Sequence, residues 1–296
     1  MNQTAYTPST WGCARSSYTV LKASGAPIRA YLQGQITQDI QALTPQHPIY
    51  TAVLTPQGKM VADMFIVDGG EELILITATS YALALVERLR RYALGQEIRL
   101  GIVDTLGLLS IQGDDSSAWI EHIQAPIVAT ISMPEAAAHG DWLIMQISEI
   151  EPTLASLPCR TTDADMELAA IAHGTPRFGR DWDASTHPMN ANLVEMKGVS
   201  FEKGCYVGQE VTSRMQWRGG IKKKLYRVHL SSIPEQLPCP IQTSINIGSL
   251  TSAASNTQGE CMGIAHLPIE SVESKQPLSL PSGESVTVIE PCHASH

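Results

Sequence analysis

Apolar positions in the first two thirds of the chain fall mostly into short runs with the twofold alternation of strands. A few segments between them show helical spacing, most clearly residues 81–94, with Ser80 as the expected N-cap and Gly95 as the expected stop. The apolar residues of that helix are Leu83, Val86, Leu89 and Ala93. Strands are predicted at 18–25, 50–54, 64–67, 73–76, 97–103, 106–112 and around 142–147, and helices at 27–32, 81–94, 116–123 and 166–172.

From Leu225 onward the pattern changes to short β-rich segments separated by turns that contain Pro, Ser, Asn and Gly. No helical pattern of useful length follows, and the polar run at 251–257 is interpreted as a hairpin loop. This pattern predicts a small barrel or sandwich as a separate module. We place the boundary near 221–225, which divides the chain into residues 1–221 and 222–296. The strands predicted in this module are 226–230, 245–253, 262–265 and 286–289.

Composition narrows the class of protein. The chain has 296 residues, 43% of them hydrophobic, and a formal net charge of −9. An acidic chain is not expected to coat nucleic acid or an anionic membrane with its whole surface. The first residues are polar, unlike a secretory signal, and no apolar run approaches the roughly 18 residues of a membrane span. We therefore expect a soluble cytoplasmic protein without a membrane partner.

The six cysteines form no C-x-x-C pair, and none lies near a histidine at zinc-finger spacing. In a reducing compartment they are expected to be separate thiols, mostly small buried hydrophobes. The nine histidines are scattered along the chain. No metal site is predicted.

Residues 203–210 read KGCYVGQE and combine two glycines, a cysteine between basic and aromatic neighbours, and a Gln-Glu pair that opens a helix or turn. Glycines let the backbone approach another group closely. Lys203 and a helix start would both favour the thiolate of Cys205, which predicts a reactive or ligand-facing cysteine. The alternative is a buried structural cysteine in a tight turn, and residue chemistry alone favours this alternative.

Residues 197–227 are strongly basic in this acidic chain. They contain eight Lys or Arg and two Asp or Glu, a local charge of +6 that leaves −15 for the remainder. A solvated basic loop is the default interpretation. The cations would also suit an acidic ligand tail, an acidic protein partner or RNA, on which Trp217 could stack.

Residues 203–210 match the signature K-G-C-[FY]-x-G-Q-E of the YgfZ family at every position. The chain resembles that family over most of its length, and more weakly the aminomethyltransferase of the glycine cleavage system. Further matching elements, in family order, are 31–39 (L-Q-G-Q-x-T-x-D), 57–59 with Asp63 (Q-G-K), 174–179 with Asp183 (G-x-P-x-x-G-x-D), Asn192-Leu193, Gly198-Val199-Ser200-Phe201, Arg214, Arg218-Gly219 and 247–252 (G-x-[VL]-T-S). The chain departs from relatives where they carry arginines, at 169–171 and after Leu94.

The resemblance implies an α+β fold of the aminomethyltransferase type, with two interleaved α+β subdomains around a central opening and a C-terminal antiparallel β-barrel. It implies binding of tetrahydrofolate or a folate derivative in that opening. It also implies an accessory role in making or repairing iron–sulfur clusters of client enzymes, including radical enzymes that modify tRNA. The expected partners are iron–sulfur client proteins or assembly factors, with weak tRNA contact through 197–227.

Cys205 and Lys203 are the residues expected to carry the chemistry. Asp63 could accept adjacent N–H groups of a pterin, or cap a turn. Tyr18 could stack on a flat ring or simply pack. Asn192 could bind ligand or cap a turn. Further ligand-contacting candidates from the signature are Gly204, Tyr206, Gly208, Gln209 and Glu210.

The main alternative is a folate-dependent aminomethyl transferase, which needs a base beside the folate. Asp63 is the candidate for that base. An RNA-binding module that uses residues 197–227 is a third hypothesis, and it predicts affinity that falls steeply with salt.

Overall fold

The computed structural model describes residues 10–242, 247–256 and 258–292. Its first sheet is antiparallel and has five strands, which are β2 (Tyr18–Ser24), β3 (Ile49–Leu54), β4 (Met60–Asp68), β5 (Glu72–Ala78) and β6 (Arg99–Ile102). Their spatial order is β3-β4-β5-β2-β6. Helices α1 (Ile28–Gln33) and α2 (Thr79–Tyr92) cover one face. The other face packs against a second sheet. Strand β3 is buried at every position because both faces of this sheet are covered.

The second sheet contains the first strand of the chain. Its members are β1 (Thr10–Ala14), β7 (Leu106–Gly113), β8 (Ile127–Ser132) and β9 (Gly140–Gln146), in the antiparallel order β1-β7-β9-β8. Helices α3 (Ser116–His122) and α4 (Ile147–Ser156) pack on its outer face. The chain thus crosses from the second sheet to the first and back, so the two halves are interleaved.

The rest of the chain links these sheets to a barrel. Helix α5 (Asp163–His173) and a long loop with a 3-10 turn (Pro188–Ala191) lead to α6 (Gln209–Trp217). A closed antiparallel barrel follows, in the order β10-β13-β12-β11-β14-β15. Its elements are β10 (Lys223–Leu230), β11 (Cys239–Gln242), β12 (Ile247–Ser255), β13 (Cys261–Pro268), α7 (Ile269–Glu273), β14 (Leu278–Ser279) and β15 (Ser285–Pro291). The predicted α+β class with a C-terminal antiparallel barrel is confirmed, and the division at 221/222 stays a proposal.

Several local predictions need correction. Ser80 lies inside α2, whose N-cap is Ala78, and Leu83 is 68% exposed because the buried face is formed by its neighbours Ala82, Leu85 and Val86. The hairpin loop predicted at 251–257 begins later, because β12 continues to Ser255, which pairs with Cys261 of β13. Residues 245–246 of the strand predicted at 245–253, and residue 257, lie outside the described residues.

Among the described residues, no helix is long and apolar enough to cross a membrane.

Candidate functional site

A cavity opens in the shared core between the two sheets. The empty space at this site is about 540 Å³ when the open solvent at its mouth is included, and the centres of water molecules can occupy about 40 Å³ of it. Its walls come from β2, β3, β4 and β5 and from the loop that follows α5. The aromatic lining residues are Tyr18, Tyr50, Phe65 and Phe178, and the charged ones are Asp63 and Arg177. The cavity therefore combines flat apolar walls with one carboxyl group, that of Asp63, and one guanidinium group, that of Arg177.

Asp63 lies in the middle of β4, opposite Ala52 of β3. The Tyr50 hydroxyl donates a hydrogen bond to its Oδ2 at 2.7 Å. Burial raises the pKa of Asp63, while the Tyr50 hydrogen bond and the charge of Arg177 act in the opposite direction. When ionised, this carboxylate can accept hydrogen bonds from the N–H groups of a ligand. Because its pKa is raised, it also keeps its proton at higher pH than an exposed aspartate would.

The aromatic residues form a continuous set around Asp63. The ring centroids of Tyr50 and Phe65 are 4.9 Å apart, those of Phe65 and Trp142 are 5.4 Å apart, and those of Trp142 and Tyr18 are 4.6 Å apart. Burial raises the pKa of Tyr18, so its hydroxyl is neutral and remains a donor. These tilted rings would accommodate a planar heterocycle.

Arg177 is the cation of the cavity, and its guanidinium lies 5.4 Å from the centroid of the Tyr18 ring. It donates to Glu135, and its Nε lies 3.7 Å from Glu167. Burial alone would lower the pKa of Arg177, but Tyr18 and the two carboxylates raise it above its ordinary value. The guanidinium therefore stays charged and is held in place.

Glu135 is the centre of a buried ionic network behind the cavity. Its side chain is fully buried and accepts hydrogen bonds from Arg15, Arg177, Trp142 and Ser110. Nearby Glu167 is paired with three arginines, which lower its pKa to about 2 against the opposing effect of burial. The network joins the β1–β2 turn, the second sheet, α5 and the loop that carries Arg177.

The motif G-x-P-x-x-G-x-D ends at Asp181, and the assignment of its aspartate to Asp183 is corrected. Asp181 is buried, and its Oδ1 accepts from the hydroxyls of Thr251 at 2.9 Å and Ser252 at 2.6 Å. Its Oδ2 accepts from the Arg177 backbone N–H at 2.8 Å. Asp183 instead accepts hydrogen bonds within its own exposed turn. Asp181 therefore links the cavity loop to strand β12 of the barrel.

Cys205 lies on an exposed loop that precedes α6. The thiol is therefore not the buried structural cysteine that residue chemistry alone favoured. Cys205 is also not among the described residues that line the cavity. Its predicted role in chemistry stays a prediction.

Lys203 does not fit the expectation that it tunes the Cys205 thiol. Its ammonium group is turned inward and donates to the carbonyl oxygens of Ile36 and Gln38, both at 2.8 Å. Burial lowers the pKa of Lys203 to about 8, although the charge of Asp39 acts in the opposite direction. The side chain is better described as a brace for the loop than as an activator of the thiol.

The other signature residues hold the loop and helix together. Tyr206 is buried in the central core, and Gly208 is the N-cap of α6. The first two residues of α6 are Gln209, whose Nε2 lies 3.5 Å from the Gly204 carbonyl oxygen, and Glu210, which forms a surface pair with Arg214 at 2.7 Å. These five residues are not among the described cavity lining.

Asn192 has a structural explanation. Its side-chain amide donates to the carbonyl oxygens of Leu225 at 2.8 Å and Cys292 at 2.9 Å, and accepts from the Leu225 N–H at 2.9 Å. Asn192 is fully buried and not among the described lining residues. Asn192 therefore fastens the 3-10 turn to the barrel. Of the predicted ligand-contacting residues, Tyr18 and Asp63 are the two that line the cavity.

The basic segment 197–227 is less exposed than its composition indicated. Lys203 is buried, and three other cations are paired with carboxylates, as Arg214–Glu210, Lys224–Glu195 and Arg227–Glu290. Within the described residues, the exposed cations of this segment without an ion pair are Lys197, Arg218 and Lys222. Trp217 is 71% exposed. A surface this small would give at most weak contact with RNA.

Gly208 shows why the signature needs a glycine at its sixth position. Its φ is +88°, and a Cβ there would lie 2.8 Å from the Thr55 carbonyl oxygen and 2.9 Å from Leu54 Cβ. A Cβ at Gly204 would meet no atom within 4 Å. Gly208→Ala is expected to lower the free energy of unfolding by about 2–4 kcal/mol, and Gly204→Ala by less than about 0.5 kcal/mol. Urea unfolding of both variants measures this difference, and equal midpoints would contradict it.

Sequence reasoning missed Glu135, Arg15 and Arg177. Glu135 follows a proline in a segment without periodicity, so no sequence signal marks it. Arg177 lies inside the G-x-P-x-x-G-x-D element, which could have drawn attention to it. Tyr50 and Phe65 are cross-strand partners on the same face as Asp63, and strand alternation could have placed them there.

Comparison with known proteins adds a set of relatives. No family model matches the chain. A tRNA-modifying protein YgfZ of Aliivibrio fischeri is 26% identical over 276 residues, covering 88% of this chain and 86% of that protein. The iron–sulfur cluster assembly factor IBA57 homolog of Mycosarcoma maydis, a mitochondrial protein, is 31% identical over 238 residues. The aligned part covers 74% of this chain and 57% of that protein.

Among solved structures, the glycine cleavage system aminomethyltransferase T from Bartonella henselae has the same fold. The TM-score is 0.78 over 95% of this chain and 85% of that chain, at 15% sequence identity. The fold predicted from the motifs is thereby confirmed.

Proposed function

Because the chain belongs to the YgfZ family and has the fold of the glycine-cleavage aminomethyltransferase, we propose that it binds tetrahydrofolate or another folate derivative and supports iron–sulfur enzymes. Its role is the assembly or repair of clusters in client enzymes, including radical enzymes that modify tRNA. The names of the relatives, a tRNA-modifying protein and a cluster assembly factor, support this role. The proposed partners are iron–sulfur client enzymes or cluster assembly factors, and the proposed compartment is the cytoplasm. This accessory role does not require catalytic turnover by the chain itself.

The observation that carries the folate proposal is the carboxylate of Asp63 on an aromatic wall. A pterin is flat and presents adjacent N–H donors, so the tilted aromatic rings would pack against its faces and the oxygens of Asp63 would accept from its N–H groups. The residues of the cavity therefore fit the group. When bound, a reduced folate would supply a carrier of one-carbon units. Arg177 would contribute a fixed positive charge at the same wall.

The observation that supports a role for Cys205 is its exposure on a loop that begins at the cavity wall. Met196 lines the cavity, and a Cβ at Gly198 would lie 3.1 Å from Tyr50 Cδ1. The chain then reaches the surface at Cys205. An exposed thiol can contact a cluster or a partner's thiol, whereas a buried one cannot.

The test combines cells and purified protein. In cells that lack the native copy, Cys205→Ala is expected to lower the activity of cluster enzymes under oxidative stress. Cys159→Ala, which removes a half-buried thiol outside the signature, should leave that activity unchanged. Tetrahydrofolate should bind the wild type and Cys205→Ala with equal affinity in a calorimetric titration. Full activity with Cys205→Ala would refute the thiol role, and absence of tetrahydrofolate binding to the wild type would refute the folate role.

A second candidate function is folate-dependent aminomethyl transfer. The raised pKa of Asp63, caused by burial, suits a general base and favours this candidate. Incubation with tetrahydrofolate and an aminomethyl donor decides between the two. Formation of methylene-tetrahydrofolate that is lost in Asp63→Asn would support transfer, and no product would leave the accessory role.

A further inference from the structure

The loop that presents Cys205 is attached to residues 34–39 at both of its ends. Before Cys205, the Ser200 N–H donates to the Thr37 carbonyl oxygen at 3.0 Å, and the Thr37 hydroxyl donates to the Gly198 carbonyl oxygen at 2.6 Å. After it, the Val207 N–H donates to the Gly34 carbonyl oxygen at 3.2 Å. These bonds define two anchor points with six residues between them.

Within those six residues, 201–206, the described hydrogen bonds to 34–39 come from Lys203 alone. Its Nζ reaches the carbonyl oxygens of Ile36 and Gln38, for which the described residues provide no other donor. The side chain is 7% exposed, and its Nζ lies 5.1 Å from the centroid of the Tyr206 ring. Lys203 therefore fastens the middle of the loop two residues before Cys205.

Residues 34–39 are in turn fixed to the strands that form the cavity. The Thr37 N–H donates to the Ala52 carbonyl oxygen at 2.9 Å, and the Ala52 N–H donates to the Thr37 hydroxyl at 3.0 Å. Ala52 is the cross-strand partner of Asp63. The hydrogen bonds of Lys203 and those of Thr37, joined by the backbone of residues 36–38, thus link Lys203 to the strand pair that carries Asp63.

We propose that Lys203 is a positioning residue, which holds Cys205 at a fixed place relative to the Asp63 cavity through its bonds to the Ile36 and Gln38 carbonyls. It acts by geometry and not by activating the thiol. This inference rests on the proposed role of Cys205, because positioning matters only if the thiol works. It predicts that loss of the two donors releases the loop while ligand binding in the cavity persists.

The test uses three substitutions in the full chain. Lys203→Met keeps the length and removes both donors, Lys203→Arg keeps donors, and Lys22→Met is the control on a surface strand position. Hydrogen exchange of the 200–207 amides should be about tenfold faster in Lys203→Met, since the buried carbonyls lose their partners. Exchange should stay close to wild type in Lys203→Arg and unchanged in Lys22→Met.

Activity of cluster enzymes in cells provides the second readout. Lys203→Met should fall to the level of Cys205→Ala while tetrahydrofolate affinity is retained, and Lys203→Arg should restore most of the activity. Lys203→Gln keeps one donor group, so its 200–207 amides should exchange at a rate between those of the wild type and Lys203→Met. This variant provides the test if Lys203→Met does not fold.

Two results would overturn the proposal. One is unchanged exchange in both Lys203→Met and Lys203→Gln. The other is full activity of Lys203→Met in cells where Cys205→Ala is inactive. A Cys205→Ala variant with full activity would instead count against the proposed function, and the exchange rates would still decide whether Lys203 holds the loop.

Discussion

Replacing Glu135 with glutamine is expected to lower the free energy of unfolding by about 3–5 kcal/mol, the range for breaking a buried ion pair. The two carboxylate oxygens accept from two arginines, an indole N–H and a hydroxyl, and the side chain has no exposed surface. Glutamine offers one acceptor oxygen and turns two N–H donors toward these groups. Arg15 and Arg177 would then be buried with too little negative charge beside them.

The measurement is urea unfolding of the purified chain, followed by circular dichroism. Glu151→Gln is the matched control, because it removes an ion pair with Arg160 whose two side chains are 69% and 49% exposed. That change should cost less than about 1 kcal/mol. If Glu135→Gln unfolds at the same urea concentration as the control, the network does not stabilise the junction as argued.

Replacing Asp63 with asparagine is expected to weaken tetrahydrofolate binding by about 30- to 100-fold, equivalent to losing charge-assisted hydrogen bonds worth about 2–3 kcal/mol. Asparagine keeps the size of the side chain but replaces one acceptor oxygen with a donor. Binding by the wild type should also weaken as pH falls, because protonation of Asp63 has the same effect. Burial raises the pKa of Asp63, so this loss should begin at higher pH than for an exposed aspartate.

Calorimetric titration over a range of pH tests both parts of this prediction. Asp183→Asn is the control, since Asp183 lies on an exposed turn and should leave affinity unchanged. Equal affinity of Asp63→Asn and the wild type would place the ligand elsewhere and remove the main support for the cavity as the folate site.

The elements that sequence patterns predicted are those whose burial follows a regular period. The continuously buried runs of β3 and of residues 64–67 in β4 reflect a sheet covered on both faces. Strand β8 and helix α4 were not predicted, because β8 is an edge strand with one buried residue and α4 contains Pro152. Helix and strand propensities are weak guides where tertiary packing determines the secondary structure.

The candidate site was predicted only in part. Asp63 was found because it accompanies the Q-G-K element, and Tyr18 because it begins the predicted strand at 18–25. The direction of the Lys203 side chain could not be predicted, because it depends on carbonyl groups about 165 residues away in the chain. The two arginine partners of Glu135, Arg15 and Arg177, are also distant, at 120 and 42 residues away in the chain. Local patterns carry no information about such long-range pairs.

The hydroxyl groups of Thr251 and Ser252 on Asp181 give the barrel a part in shaping the cavity. The same carboxylate receives the Arg177 backbone N–H, so the terminal module and the basic wall share one acceptor. A chain truncated before the barrel would lose the two hydroxyl groups that bind Asp181. The Arg177 side chain would then be held less firmly at the cavity wall. Grafting a foreign barrel onto these sheets would succeed only if it brought two hydroxyls to the same spot.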